Sequence, residues 1–438
     1  MTLTIFGILG LLMLFIFLGV HLAVALGTVS FIGVTWMMGS FDIGLSILST
    51  TAYESLRKDV FIIIPLFVLM GDFVSRSGSA HDLYALCNRA FRRLPGCLGV
   101  ATVMGNAIFA AITGVSIAAA ATFSRIAYPE MVALGYSKRF SLGTVAGSAC
   151  LGMLIPPSIL MIVWAVLTEQ SIGSLFIAGL IPGLILALAF CGYCVVYAIR
   201  NPECAPVLTA QNAATDDPEV LRRQLLGGLA ILGLIGIVIG GIWGGFLTPT
   251  EAAGFGTMGA FLLGLAKGMT RKDILNAIYS AGRITAPIMI LLIAASMYSR
   301  FLAMAGATQV ITDLLFAVSD NPAVVVGIIF FVWILLGMFI DSTSIILLTV
   351  PIFAPVATTL GIDPLAFAIF GILVIEAGLL TPPFGLLVFT VKASVPDPHV
   401  TLGDIFRGAI PFWILILVVA ILVLVLPGLS TWLPNTLN

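Results

Sequence analysis

Four stretches of this chain, 3–27, 225–247, 324–340 and 409–427, are apolar for long enough to cross, or nearly cross, a hydrocarbon layer of about 30 Å. A water-soluble domain carries roughly 25% charged residues to cover its surface. Here 60% of the 438 residues are hydrophobic and only 9% are charged. A bilayer interior admits only segments that satisfy their own backbone hydrogen bonds. The chain therefore reads as an all-α polytopic membrane protein. The first run has no Lys or Arg ahead of it and no small-residue cleavage site, so it reads as a permanent helix and not as a signal peptide.

Other classes lose support in the same reading. A formal net charge of −1 offers no basis for nucleic-acid binding. The chain has no G-x-x-x-x-G-K-[ST] phosphate cradle and no H-E-x-x-H zinc motif. No nucleophile–base or metal constellation points to an enzyme, and no organic cofactor is expected. Cys191 and Cys194 form a C-x-x-C, but inside an apolar run it reads as packing.

The chain repeats itself. A shift of 226 residues lays Ser116 on Ser342, Pro129 on Pro355, Leu134-Gly135 on Leu360-Gly361, Gly152 on Gly378 and Pro156-Pro157 on Pro382-Pro383. A polar stretch, 200–224, separates the halves and reads as a linker. Cytoplasmic loops collect Lys and Arg, which places this linker and the loop Lys267–Lys272 inside. Equivalent loops of the two halves then carry opposite charge. Arg89, Arg92 and Arg93 face a counterpart holding only Asp313 and Asp320, and Lys138-Arg139 corresponds to Asp363-Pro364. The loop at Glu169 has no base, whereas its partner holds Lys392 and Arg407. The expectation is two inverted-topology repeats, 1–199 and 225–438, joined by a cytoplasmic linker. Each has about five transmembrane helices and one re-entrant hairpin, with both termini periplasmic.

Two segments per half are wrong for plain spanning helices. Residues 97–131 and 323–357 each carry a short polar tip, at 112–116 and 339–344, with no room for an external loop; each reads as a re-entrant hairpin. The helices 139–168 and 365–391 are interrupted at 152–158 and 378–384 by the Pro-Pro pairs. Proline lacks an N–H and clashes with the carbonyl one turn back, so two in a row should unwind the helix and free several carbonyls. Free carbonyls in hydrocarbon cost several kcal/mol each unless protein, water or an ion meets them. A sodium ion, a hard cation, takes oxygen ligands. One sodium site is expected where carbonyls of Gly152, Ile155 and Pro157 face Thr113 and Ser116. A second is expected where those of Gly378, Thr381 and Pro383 face Asp341, Ser342 and Thr343.

At these residues the chain resembles the large membrane subunit of the tripartite ATP-independent periplasmic (TRAP) transporters. The likeness spans nearly the whole length and includes Pro65-Leu-Phe-Val-Leu-Met-Gly71, Leu151-Gly-Met-Leu-Ile-Pro-Pro-Ser158, Thr248-Pro-Thr-Glu-Ala-Ala253, Leu336-Gly-Met-Phe-Ile-Asp-Ser342 and Gly378-Leu-Leu-Thr-Pro-Pro-Phe-Gly385. The resemblance implies an elevator, in which a transport domain holding both hairpins and both broken helices slides against scaffold helices 1–95 and 225–322. It also implies sodium symport at the bacterial inner membrane, a separate small membrane subunit, and a periplasmic binding protein that delivers an organic acid. One departure stands out. Family members commonly have a Ser-rich first tip followed by Asp; here Thr113-Gly-Val-Ser116 is followed by Ile117 and alanines.

Candidates for the substrate are Arg125, Ser158, Ser344 and Glu376. Arg125 has the fork to grip a carboxylate, or it snorkels to head groups. Glu376 lies inside the membrane, where a carboxylate is expensive; structural pairing and a site role are both open. Glu251 reads as a helix cap, His21 as packed, and Gly236, Gly240 and Gly244 as a stripe for close helix packing in the scaffold. The expected function is sodium-coupled secondary uptake of an organic acid such as a C4-dicarboxylate or sialic acid. The rivals are a standalone dicarboxylate or citrate carrier that needs no binding protein, and a channel.

Overall fold

A computed structural model describes residues 2–206, 218–319 and 321–437, and among these the chain is helical, with no strand. The first half begins with Thr2–Phe17, Leu22–Met38, Phe41–Leu56, Val60–Arg76 and Ser79–Phe91. Two paired arms follow, Cys97–Thr113 and Ser116–Ala133, and then Lys138–Ala149, Ile159–Thr168 and Ile172–Arg200. The second half begins with Pro218–Trp243, Pro249–Ala266, the long Arg271–Met304, and Ala307–Val318. Its arms are Pro322–Gly337 and Ser342–Thr359; Pro364–Gly378, Leu386–Ser394, Leu402–Val425 and Gly428–Leu437 complete it. Under the 226-residue shift, Ser116–Ala133 falls on Ser342–Thr359 end for end.

Local chemistry sets many of these boundaries. Thr248, Thr270 and Thr401 each accept a hydrogen bond from the backbone N–H three residues on, where Glu251, Asp273 and Asp404 return the bond to the cap. Glu251 is thus the cap expected from the sequence. His21 is not packed: it lies exposed before Leu22–Met38, and its Nδ1 accepts from the Ala23 N–H at 3.4 Å. The run 3–27 is not one helix. It stops at Phe17 and restarts at Leu22 through Gly19 at φ 74°, with the Val20 N–H closing onto the Phe15 carbonyl. Most residues there are apolar, so hydropathy alone carries no trace of the turn. In the linker, helix begins already at Pro218; residues 207–217, like Asp320, lie outside the described residues. The glycine stripe is also corrected. A Cβ at Gly236 or Gly240 would meet nothing within 4 Å, so among the described residues no helix packs closely there.

The deepest packing lies around the broken helices. Every residue of 366–378 is buried, and so is every residue of 159–166. Trp164 from the first half stacks edge-on to Trp333 (6.0 Å) and Phe367 (6.0 Å) of the second, which welds the halves. Gly371 makes room for both indoles. Outward, Leu188, Ile237, Phe331, Ile421 and many like them stay exposed, the surface a bilayer covers.

Loop contacts cross between the halves in a specific way. Lys138 pairs with Asp397 at 2.6 Å, and Tyr128 donates to the same carboxylate at 3.1 Å. Glu169 and Gln170 line one cavity of about 410 Å³ with Pro355, Thr358 and Pro364. Lys138 and Pro364 are equivalent under the shift, as are Glu169 and the start of the loop that bears Asp397. Each loop therefore meets the counterpart of the other.

Candidate ion and substrate site

Both helices break at their prolines. In the first half, Lys138–Ala149 tightens into a 3₁₀ turn at Cys150–Met153 and resumes only at Ile159. In the second, Pro364–Gly378 ends in a turn and resumes at Leu386. Both Pro-Pro bonds are cis. Among the described residues, the carbonyls of Ile155, Pro156 and Pro157, and of Thr381, Pro382 and Pro383, receive no hydrogen bond. Of the carbonyls expected from the sequence, those of Ile155, Pro157, Thr381 and Pro383 are among these, whereas the Gly378 carbonyl accepts from the Thr381 N–H at 2.9 Å.

Each break is tied to the hairpin tip of its own half. The Ile159 N–H donates to the Gly114 carbonyl at 3.3 Å; the equivalent Gly385 N–H donates to the Met338 carbonyl at 3.4 Å. Gly114 sits at φ 61° with no room for a Cβ, which would lie 2.6 Å from the Pro157 oxygen. Gly152 rests on Val115 and Ser116, and Gly378 on Gly337. The small residues are what allow tip and break to touch backbone to backbone.

Between the two tips lies Glu376, buried to a relative exposure of 1%. The Ser342 hydroxyl donates to Glu376 Oε1 at 2.7 Å. The Ser116 hydroxyl faces the same carboxyl, yet Ser116 Oγ and Glu376 Oε2 both lack a hydrogen bond of ordinary geometry. Cys150 Sγ approaches the Glu376 carbonyl at 3.9 Å. Ser116 and Ser342 are equivalent under the shift, and so are Cys150 and Glu376. The structure therefore brings Ser116 and Ser342 to one carboxyl.

The other expected residues are distributed as follows. Asp341 caps its own helix, with Oδ2 accepting from the Ser344 N–H (3.0 Å) and Oδ1 from the Ser344 hydroxyl (2.6 Å). Thr343 is half-buried beside them. Thr113 donates back to the Phe109 carbonyl at 3.2 Å, and Thr381 donates to Ala377 at 2.9 Å while accepting from Trp413 Nε1 at 3.0 Å. Ser158 donates to the Met153 carbonyl at 2.7 Å and caps the following helix. Arg125 is exposed, about 13.5 Å along the helix from Ser116, and does not join the cluster. Sequence reasoning missed Cys150, Trp413, and Asn106, which donates from the first hairpin to Ser148 of Lys138–Ala149 at 2.6 Å. The 226-residue offset from Glu376 was the one available signal for Cys150.

The two breaks differ in surroundings. Residues 151–160 are all buried. Around the second break Pro382, Pro383 and Phe384 are exposed, and Phe339, Phe384 and Phe389 form an aromatic ladder (5.7 and 6.4 Å) beside the open carbonyls. The half-helix Ile159–Thr168 packs on Ser342–Thr359 and touches Val60–Arg76 and Arg271–Met304; its counterpart Leu386–Ser394 packs chiefly on Ser116–Ala133 and Leu402–Val425.

Residues 9–429 match the family described as tripartite ATP-independent periplasmic transporter, DctM component. The C4-dicarboxylate TRAP transporter large permease protein DctM of Pseudomonas aeruginosa is 34% identical over 397 residues, 89% of this chain and 90% of that protein. The ectoine TRAP transporter large permease protein TeaC of Halomonas elongata is 32% identical, with 95% of each chain covered. The sialic acid TRAP transporter large permease protein SiaM of Vibrio cholerae is 29% identical over 99% of this chain and 98% of its own. Among solved structures, the YdaH transporter of Alcanivorax borkumensis shares the fold, with a TM-score of 0.61 at 14% identity over 89% of this chain and 90% of that one.

Proposed function

The chain belongs to the DctM-component family of tripartite ATP-independent periplasmic transporters, a family of permeases and not of enzymes, and from that premise we propose sodium-coupled uptake of an organic acid across the bacterial inner membrane. The acid is a C4-dicarboxylate, sialic acid or a similar carboxylate, in keeping with the relatives named for such substrates. A small membrane subunit and a periplasmic binding protein complete the system, and this three-part membership favours it over a carrier acting alone.

One observation carries the reading: two proline-broken helices, each bound to a hairpin tip, hold backbone carbonyls open. Such oxygens suit a desolvated monovalent cation. The crossed loop contacts, Lys138 with Asp397 and Glu169 with Pro364, support inverted repeats, since each loop lies beside the equivalent of the other. The same frame supports an elevator. Ile159–Thr168 is sealed and touches Val60–Arg76 and Arg271–Met304, whereas the second break is open, as one end of a sliding body would be. Each net charge carried inward at 100 mV releases about 2.3 kcal/mol, so two or more sodium ions can drive accumulation of an anion.

The test is uptake by proteoliposomes holding this chain and its small membrane subunit, with the loaded binding protein outside. Uptake should require an inward sodium gradient. Undiminished uptake without sodium would overturn the coupling.

A further inference from the structure

Glu376 is a carboxyl with no counter-charge. It is 1% exposed, and among the described residues no Lys, Arg or His pairs with it. A buried carboxylate in a low-dielectric interior costs several kcal/mol unless a partner meets it. Ser342 supplies one hydrogen bond to Oε1. Oε2 has no hydrogen bond of ordinary geometry, and neither has the buried Ser116 hydroxyl that lies against the same carboxyl. Three oxygen groups therefore converge, two of them unsatisfied, on ground where water does not reach.

We propose that Glu376, Ser116 and Ser342 form a cation site shared by both halves of the molecule, which takes a dehydrated sodium ion. All three donors are oxygens, the ligands a hard cation selects. The site differs in kind from the open carbonyls of the two breaks. Those are neutral and belong to one half each; this one includes a carboxyl, which an ion would meet in its ionised form, and sits where the halves meet. Its two serines are equivalent under the 226-residue shift, and the Cys150 thiol, pointing at the Glu376 carbonyl, is the equivalent of Glu376 itself. The duplication thus places one carboxyl, and not two, between the paired serines. One ion bound there links the first hairpin, the second hairpin and the second broken helix.

This inference rests on the sodium-coupled reading, and the experiment separates the two. Sodium-22 binding and the sodium-to-substrate ratio are measured on the transporter with its small membrane subunit, for the wild type, Glu376→Gln and Ser116→Ala. Loss of all sodium dependence in the wild type would sink the coupling itself. With coupling intact, Glu376→Gln should move one sodium fewer per cycle. Ser116→Ala, which removes a hydroxyl that makes no hydrogen bond of ordinary geometry, should raise the half-saturating sodium concentration by about tenfold or more, the scale on which a lost metal partner acts. An unchanged ratio and unchanged sodium saturation in both variants would overturn the shared site. So would a Glu376→Gln variant that loses only the pH dependence of uptake, because Glu376 would then carry a proton. Should Glu376→Gln fail to fold, sodium binding by Ser116→Ala decides: weakened binding supports the site and wild-type binding removes it.

Discussion

Ser158 and Phe384 occupy the same position in the two halves, yet Ser158 is wholly buried and Phe384 is 56% exposed. Both follow a Pro-Pro pair, and each break is held by its own hairpin tip. The local architecture is the same and the environment is not. In the first half, the broken turn Cys150–Met153 is covered by Ile172–Arg200 and by Pro364–Gly378 of the other half. In the second, the aromatic ladder Phe339–Phe384–Phe389 borders the open carbonyls without sealing them. A duplicated motif fixes how the backbone breaks; the packing around each copy decides which break stays exposed.

The difference should be most costly to disturb where the first tip is tightest. Gly114 and Gly385 both have positive φ, 61° and 59°, so alanine at either costs about 1–2 kcal/mol of backbone strain. At Gly114 the new methyl would also drive into the Pro157 carbonyl at 2.6 Å, which is backbone and cannot swing aside. At Gly385 the nearest atom, at 2.8 Å, belongs to the Phe406 ring, which can yield, and the nearest backbone atom, the Leu379 oxygen, stands farther off at 3.1 Å. Overpacking of the first kind costs about 1–3 kcal/mol more. Gly114→Ala should therefore cut uptake by about tenfold or more and lower the thermal midpoint further than Gly385→Ala does. Equal losses would mean that the first tip is no tighter than the second.

Accessibility offers a more direct probe. In a background freed of the six native cysteines, Ser158→Cys and Phe384→Cys place a thiol at equivalent positions. Modification of a buried thiol needs local opening and a thiolate that burial disfavours. The Phe384→Cys thiol should react with a small maleimide on the order of tenfold faster or more, since each 1.4 kcal/mol of opening cost is a factor of ten. Matching rates would erase the contrast.

Much of this architecture was legible in the sequence, for a definite reason. Proline removes a donor wherever it stands, so Pro156-Pro157 and Pro382-Pro383 declare their breaks whatever packs around them, and the tips at 112–116 and 339–344 declare themselves by polarity in apolar runs. What depends on a third dimension was not legible. Nothing in Thr113-Gly-Val-Ser116 says that Ser116 will face Glu376, 260 positions along the chain. The turn between Phe17 and Leu22 is Leu18-Gly-Val-His21, whose one polar side chain, the histidine, lies within a long apolar run. Glycines 236 and 240 have the spacing of a packed stripe, but that spacing cannot say whether a helix of the same chain will come to it.

The smallest effect expected lies where loops of the two halves meet. On one side Lys138 and Asp397 form an ion pair; on the other, among the described residues, no ion pair joins Glu169 to the loop at Pro364. The hydrogen bond from Lys138, aided by the His399 N–H and the Tyr128 hydroxyl, holds the Asp397 carboxyl at about 2, below its ordinary 3.8. A depressed value means that the pair stabilises the fold above the ordinary carboxylate range, and that its contribution is lost only as the pH falls toward 2. Asp397→Asn should therefore lower the thermal midpoint by a small and constant amount from pH 5 to pH 8. High salt should shrink that amount, because the pair is exposed and its attraction is screened. A deficit that varies across this window would assign the effect to a different titrating group, and the asymmetry between the two loop contacts would then owe nothing to this charge pair.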